Sequence, residues 1–284
     1  MRVLTTVQEL LTWSREARKA DLKVGLVPTM GALHAGHLSL VRAAKAGCEA
    51  VAASIFVNPT QFGPNEDFAL YPRTFEADCS LLEAEGVDVV FAPTPAEMYR
   101  PNATTFIEVE GLSDRLDGAS RPGHFRGVAT VVAKLFLAAE PDQAFFGQKD
   151  AAQVAVLRRM TADLGLPVEI AVCPIVREPD GLAMSSRNRY LSAEERRQAL
   201  VLSRAIDQAQ RHWHQGETNA SQLIESARSL IATEPSVRID YIAAVDWETL
   251  LPAETMQDGT LFAIAAYVGS TRLIDNFVAR KLSL

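Results

Sequence analysis

Two histidines three residues apart, His34 and His37, stand where a phosphate could be bound and activated. They follow a short apolar run, residues 24–27, that breaks on Pro28 and Gly31 before a helical pattern begins. Open α/β sheets bind ligands where strands end, and a helix start offers backbone N–H groups suited to an anion. No Glu lies between the histidines and no third ligand is evident, which disfavours a zinc site. We therefore expect both side chains to donate hydrogen bonds to phosphate oxygens as negative charge develops.

Two later segments carry further groups suited to phosphate. Ser185 and Ser186 precede Arg187, and two hydroxyls with a guanidinium can hold β- and γ-phosphates, although such a run is more often a solvated loop. Lys149 follows a strand-like stretch. Asp150 follows Lys149, and such a Lys–Asp pair is usually a surface ion pair. At the carboxyl edge of a parallel sheet, however, the ammonium of Lys149 would enter the ligand crevice. Gln153 lies one helical turn beyond Lys149, so both share a face.

Composition restricts the class of partner. The chain has 284 residues and a net charge of −7, which is poorly suited to coating a nucleic-acid backbone. No apolar run approaches the roughly 20 residues that span a bilayer. The first 21 residues lack the apolar core of a secretory signal, and the three widely spaced cysteines, Cys48, Cys79 and Cys173, suggest buried reduced thiols. We expect a cytoplasmic protein without a membrane or nucleic-acid partner.

Strands and helices alternate along the first 175 residues. The pattern predicts strands at 24–27, 50–57, 87–91, 105–109, 142–146 and 168–172. It predicts helices from a capping box at Thr6 to about Lys19, then at 38–45, from Thr74 to about Glu85, and at 127–139 and 151–164. Such alternation is typical of βαβ units, so the expected fold is α/β, a Rossmann-type doubly wound and mostly parallel sheet.

The pattern changes after Ser192. A second capping box opens a helix to roughly His212, and another helix covers about 220–232. Strand-like segments follow at 239–245, 260–268 and 272–277. We therefore predict a nucleotide- and substrate-binding domain at 1–175 and a smaller α+β lid domain at 176–284. A linker at about 174–181, where Pro, Asp and Gly cluster, would join them.

Six segments, in order and spacing, resemble the motifs of the pantoate–β-alanine ligase family, within the nucleotidylyltransferase superfamily that carries HIGH/KMSKS-type signatures. They read PTMGALHAGH (28–37), FVNPTQF (56–62), YPRT (71–74), GHFRGV (123–128), FGQKD (146–150) and MSSRNRYL (184–191). Thr60 stands where the family has Leu, and Gln148 where Glu or Lys is usual. Neither position is expected to perform the reaction.

The resemblance implies an ATP-dependent ligase that joins (R)-pantoate to β-alanine. The pantoate carboxylate would attack the α-phosphorus of ATP, releasing pyrophosphate and forming pantoyl adenylate. The amine of β-alanine would then displace AMP and give pantothenate. No enzyme nucleophile is needed, so the protein would supply positioning and charge stabilisation. Mg²⁺ is implied with ATP, held mainly through the phosphates, and a homodimer is the family expectation.

The resemblance also assigns the site residue by residue. The implied catalytic residues are His37, His34 and Lys149. The implied ATP-binding residues are Met30, Gly31, Ala32, Leu33, His34, Ala35, Gly36, His37, Gly147, Gln148, Lys149, Asp150, Val176, Met184, Ser185, Ser186 and Arg187. Gln61 and Gln153 would hold pantoate, Gln61 would also contact β-alanine, and Met30 would wall the pocket against the dimethyl carbon of pantoate.

Four further residues have less definite assignments. Asp78 could lie near the metal or be solvated on its helix, and we do not expect it to ligate the ion. Arg121 could help to close the site, and His124 belongs to a family motif. His212 and His214 most resemble a solvated helix end.

Three other functions stay open on the residues alone. A nucleotidylyltransferase that leaves AMP on a small phosphorylated acceptor would need a pocket for that phosphate, whereas paired amides suit a neutral polyol acid. An aminoacyl-tRNA synthetase fragment shares the signature but conflicts with the acidic charge balance. A regulatory nucleotide-binding module would have no need of both histidines, Lys149 and the Ser-Ser-Arg run together.

Overall fold

The larger of two sheets has six parallel strands. The computed structural model describes residues 1–64 and 66–281. The strands of this sheet are β1 (Arg2–Leu4), β2 (Val24–Thr29), β3 (Ala50–Ile55), β4 (Val89–Phe91), β5 (Gln143–Gly147) and β6 (Glu169–Cys173). They lie side by side in the order β1-β4-β3-β2-β5-β6. The almost uninterrupted apolar composition of β2 and β3 fits strands that are covered on both faces.

Helices connect these strands. They are α1 (Val7–Lys19), α2 (Ala35–Gly47), α3 (Phe75–Ala84), α4 (Pro95–Met98), α5 (Asp117–Ser120), α6 (His124–Ala139) and α7 (Ala151–Asp163). From β2 the chain proceeds to β3 and β4 on one side, then returns to place β5 and β6 on the other side of β2. The direction of winding therefore reverses between β2 and β5. Open sheets of this kind bind ligands outside the strand ends at that point.

The smaller sheet is antiparallel and follows two helices, α8 (Ala193–His214) and α9 (Ala220–Ile231). Its strands are β7 (Val237–Asp246), β8 (Thr260–Val268) and β9 (Thr271–Val278), in the order β7-β8-β9. One side of this sheet packs on α8 and α9, whereas Val245, Trp247 and Leu261 join the apolar cluster that contains Leu26 of the larger sheet. The two sheets thus share one core, and the division at residue 175 remains a prediction.

The expected fold class is confirmed, with one strand wrong and one missed. The segment 105–109 is not a strand: it is mostly exposed and has no strand beside it in the described chain. Two of its amides, those of Ile107 and Val109, donate instead to the hydroxyls of Thr130 and Ser113. A β-favouring sequence needs a partner strand to become one. The missed strand, β1, has only three residues, and its short sequence gave no periodic signal.

Most of the remaining boundaries lie within three residues of those predicted. Both capping boxes are present, at Thr6 and at Ser192. Thr74 does precede α3, but its hydroxyl lies 3.1 Å from the Asp78 carboxylate and caps no backbone amide. The three cysteines are free. Among the described residues no helix is both long and apolar enough to cross a bilayer.

Candidate active site

A cavity opens at the carboxyl ends of β2 and β5, where the winding of the sheet reverses. Most of the predicted site residues line it: Met30, His34, Gly36, His37, Gln61, Gly147, Lys149, Asp150, Gln153, Val176, Met184, Ser185, Ser186 and Arg187. It continues into a second cavity towards β9, and Arg121, His124 and Lys149 border both. Gly31, Ala32, Leu33, Ala35 and Gln148, also predicted to bind ATP, do not line the first cavity.

The turn between β2 and α2 is held by a buried carboxylate. The side chain of Asp78 accepts the N–H groups of Ala32 and Leu33 at 2.9 and 2.8 Å. Gly31 and Ala32 have positive φ angles of 79° and 51°, and a Cβ on Gly31 would come within 3.0 Å of the Asp78 carboxylate. Asp78 is only 2% exposed, so the alternative that it is solvated is wrong. Its oxygens fix the turn that precedes the histidines.

Backbone amides at the start of α2 donate hydrogen bonds to both histidine rings. The Nδ1 atom of His34 accepts the N–H of Gly36 at 3.2 Å, and that of His37 accepts the N–H of His34 at 3.4 Å. The two rings lie 4.1 Å apart between centroids. An Nδ1 atom that accepts a hydrogen bond places the proton of a neutral imidazole on Nε2. Both rings therefore keep an Nε2–H donor at the cavity wall.

The environment keeps both imidazoles neutral. Burial, followed by the nearby positive charge of Lys149, lowers the pKa of His34 to about 4. Burial lowers the pKa of His37 to about 3, with His34 and Lys149 as smaller causes. Near pH 7 the pair therefore supplies neutral N–H donors rather than cations. The fixed positive charge at this wall comes from Lys149 instead.

Lys149 lies on a 3₁₀ turn, Gln148–Asp150, that directly follows β5. Its ammonium is 3.7 Å from the carboxylate of Asp150, in a part-exposed pair. Gln153 lines the same cavity from the first turn of α7, as predicted from its spacing. Since β2 and β5 are neighbours in the parallel sheet, the ammonium and the two histidines reach the cavity from adjacent strand ends.

The Met184–Arg187 segment reaches the histidine turn, but not in the way the sequence predicts. Arg187, expected to grip phosphate, donates to both carboxylate oxygens of Asp67 at 3.0 and 2.9 Å. Met184 places its sulfur 3.2 Å from the amide nitrogen of Gly36. That N–H also donates to His34, so it is not one of the free helix-start donors that the sequence predicts. An anion must compete with a carboxylate for Arg187 and with a thioether for Gly36.

Gln61 is oriented by a residue that sequence reasoning did not assign. Its Nε2 atom donates to the sulfur of Met30 at 3.0 Å, and its Oε1 atom accepts from Asn58 at 3.1 Å. Asn58 is 1% exposed and is held in turn by Gly127 and Tyr99. A polar residue between apolar Val57 and Pro59 could have indicated a buried hydrogen-bonding role.

His124 and Arg121 support the backbone of Gln61 and border the cavity. The Nδ1 atom of His124 lies 2.9 Å from the Gln61 carbonyl, and its Nε2 atom 3.0 Å from Arg121. Burial, followed by the charge of Arg121, lowers the pKa of His124 to about 4. Arg121 also donates twice to Glu66, each bond being 2.7 Å long. By contrast, His212 and His214 lie at the end of α8, as expected.

The described residues contain no group of three or more His, Cys, Asp or Glu side chains placed to hold a metal ion.

Comparison with known proteins gives one consistent result. The model of the pantoate–β-alanine ligase family matches residues 2–278. A pantothenate synthetase of Acidobacterium capsulatum is 62% identical over 97% of this chain and 96% of its own length. The crystal structure of a pantothenate synthetase from Thermus thermophilus superposes with a TM-score of 0.91 at 47% identity, covering 98% of this chain and 99% of the other. A pantoate–β-alanine ligase from Francisella tularensis, crystallised with β-γ ATP and β-alanine, gives a TM-score of 0.80 at 33% identity, covering 98% and 97%.

Proposed function

This chain belongs to the pantoate–β-alanine ligase family, and we propose that it joins (R)-pantoate to β-alanine while converting ATP to AMP and pyrophosphate. The observation that carries the proposal is the meeting of two neutral imidazoles and one ammonium at adjacent strand ends. The β-γ ATP and β-alanine bound to the Francisella ligase favour the same two ligands here. The Gln61 amide next to Met30 suits a third, small polyol acid.

The proposed reaction has two steps. An oxygen of the pantoate carboxylate attacks the α-phosphorus of ATP, and the bond from that phosphorus to the β-phosphate oxygen breaks. Pyrophosphate leaves with the bonding electrons, and pantoyl adenylate remains. The neutral amine of β-alanine then attacks the acyl carbon, AMP leaves, and the nitrogen loses a proton. Adenylation is needed because a carboxylate oxygen is a poor leaving group.

His34, His37 and Lys149 supply the charge stabilisation for the first step. Their Nε2–H and ammonium groups face a cavity in which the attacked phosphorus gains negative charge on its oxygens. Neutral imidazole donors suit this role, since they stabilise developing charge without needing a proton from solvent. We expect His37 and His34 to contact the α-phosphate. Lys149 neutralises the departing pyrophosphate.

The other substrate contacts follow from the cavity walls. Ser185, Ser186 and Arg187 would hold the outer phosphates after Arg187 exchanges Asp67 for phosphate oxygens, and Gly147, Asp150 and Val176 would border adenosine. Gln61 and Gln153 would bind pantoate, whose dimethyl carbon would pack on Met30, and Gln61 would also contact β-alanine. Gly31, Ala32, Leu33, Ala35 and Gln148 do not line the first cavity, so they would contribute to ATP binding only through backbone groups behind its wall.

Mg²⁺ would enter with ATP. The absence of a three-ligand cluster in the described chain fits an ion that is held mainly by phosphate oxygens. Bound there, it would neutralise part of the triphosphate charge. We assign it no protein ligand, and Asp78 is already committed to the amides of Ala32 and Leu33.

We also propose a homodimer in the cytoplasm. The support for a dimer is the strand-like segment 105–109, which is mostly exposed and has no neighbouring strand in the described part of the chain, with Phe106 37% exposed. Pairing with a second copy would satisfy its backbone. The support for the cytoplasm is the use of ATP together with three free thiols.

The function is tested by pyrophosphate exchange. Labelled pyrophosphate should enter ATP only when pantoate and Mg²⁺ are present, and adding β-alanine should produce free AMP and pantothenate in equal amounts. AMP found attached to an acceptor would favour the alternative nucleotidylyltransferase. Nucleotide binding without exchange, in folded protein, would favour a regulatory module. Either result would overturn the ligase.

A further inference from the structure

Two adjacent residues of β9, Asp275 and Asn276, bond to the two elements that carry the proposed phosphate-binding groups. Asn276 is 3% exposed, and its Nδ2 atom donates to the carbonyls of Gln148 and Lys149 at 3.0 and 2.9 Å. Its Oδ1 atom accepts from the side chain of Gln148 at 3.2 Å. All three hydrogen bonds therefore go to the turn on which Lys149 lies.

Asp275 holds the other element. It is 2% exposed and accepts two hydrogen bonds from Arg177, at 2.6 and 3.0 Å. Arg177 lies in a short hairpin: it bridges to Ala183, and the N–H of Met184 donates to the carbonyl of Val176. This hairpin leads directly into Ser185, Ser186 and Arg187.

Because neighbouring side chains of a strand point to opposite faces, one peptide unit of β9 can bond in both directions. We propose that Asp275 and Asn276 are positioning residues, which set the separation between Lys149 and the Ser185–Arg187 segment. The inference rests on the proposed function, since it concerns the residues given there to the triphosphate. Phosphate stabilisation is sensitive to such placement, because misplacing a group by about 1 Å can cost about 10²-fold in rate.

The geometry of Lys149 shows why the turn needs an external support. Its side chain is long, so a small rotation of the Gln148–Asp150 turn moves the ammonium by much more than the backbone. The turn has no side-chain cap of its own. Asn276 supplies two donors to successive carbonyls there, which a rotation would break together.

The test is a pair of double-mutant cycles on the full chain, read as the rate of pyrophosphate release in a single turnover and as the Kd for ATP. Asn276→Ala should slow release about 10²-fold, and in a Lys149→Ala background it should cause almost no further loss. Asp275→Asn should likewise slow release, and in an Arg187→Ala background it should cause almost no further loss. Asn276→Asp, which keeps the size of the side chain but loses both donors, repeats the first cycle should the alanine variant fold poorly.

Thr260→Ala is the matched control, because Thr260 is 3% exposed and lies on β8, and among the described residues its hydroxyl bonds only to the amide of Gln257. It should lower Tm about as much as Asn276→Ala while leaving the release rate near that of the wild type. Additive losses in either cycle, or an equal rate loss in Thr260→Ala, would overturn the positioning role. Wild-type release is measured alongside. If the wild type binds ATP but releases no pyrophosphate, the proposed ligase function is wrong. The same double-mutant cycles, read as the Kd for ATP, still decide the positioning role.

Discussion

His37 is the residue whose loss should affect the reaction most directly. Its Nε2–H donor is fixed by the bond from the His34 amide to Nδ1, and its low pKa keeps the ring neutral. His37→Ala should therefore preserve the fold and slow pyrophosphate release about 10²–10³-fold, the typical loss for one transition-state donor. Rapid-quench single-turnover kinetics measure the effect.

His212→Ala is the control for that substitution, since His212 lies near the end of α8 and does not line the cavity. It should release pyrophosphate at the wild-type rate. If His37→Ala released pyrophosphate as fast as His212→Ala, His37 would have no role in the first step. Loss confined to β-alanine attack on preformed adenylate would move His37 to the second step.

The turn between β2 and α2 depends on one side chain from another element, Asp78 of α3. Asp78→Asn turns one acceptor into an NH₂ group that faces the amides of Ala32 and Leu33. We expect this to lower the free energy of unfolding by about 1–3 kcal/mol and to displace both histidines, so ATP affinity also falls. Denaturant unfolding and calorimetric titration measure the two effects. Glu83→Gln, an exposed carboxylate of the same helix, should change neither, and normal ATP affinity in Asp78→Asn would contradict the role of the turn.

The sequence predicts those elements whose signal is local. Periodicity and capping residues locate most helices and strands, and His34, His37 and Lys149 reach one cavity because they follow neighbouring parallel strands. Contacts between distant segments leave no such signal. Arg187 and Asp67 are 120 residues apart, and Asn276 is 127 residues from Lys149. The segment 105–109 fails for a related reason, since its residues favour a strand but the described chain provides no partner.

At the scale of the whole molecule, three histidines couple folding to pH. His34, His37 and His124 have pKa values lowered by burial to about 4, 3 and 4. In the unfolded chain each should titrate near 6.5. Between these values the unfolded state binds more protons than the folded state. The contribution of these histidines to the free energy of unfolding is therefore complete above pH 6.5, and it is lost as the pH falls towards 4 and 3.

We expect the free energy of unfolding to fall between pH 7 and pH 5, by at most about 1.4 kcal/mol per pH unit for each histidine, and by less for partly exposed His34. This window lies above the ordinary pKa of carboxyl groups, so histidines dominate it. Denaturant unfolding at pH 7, 6 and 5, without nucleotide, measures the slope. His124→Gln should reduce the slope by about one histidine's share, because His124 is the most buried of the three, whereas His212→Gln should leave it unchanged. An unchanged slope in His124→Gln would mean that His124 is already charged in the folded protein, in which case its Nε2 atom could not accept from Arg121.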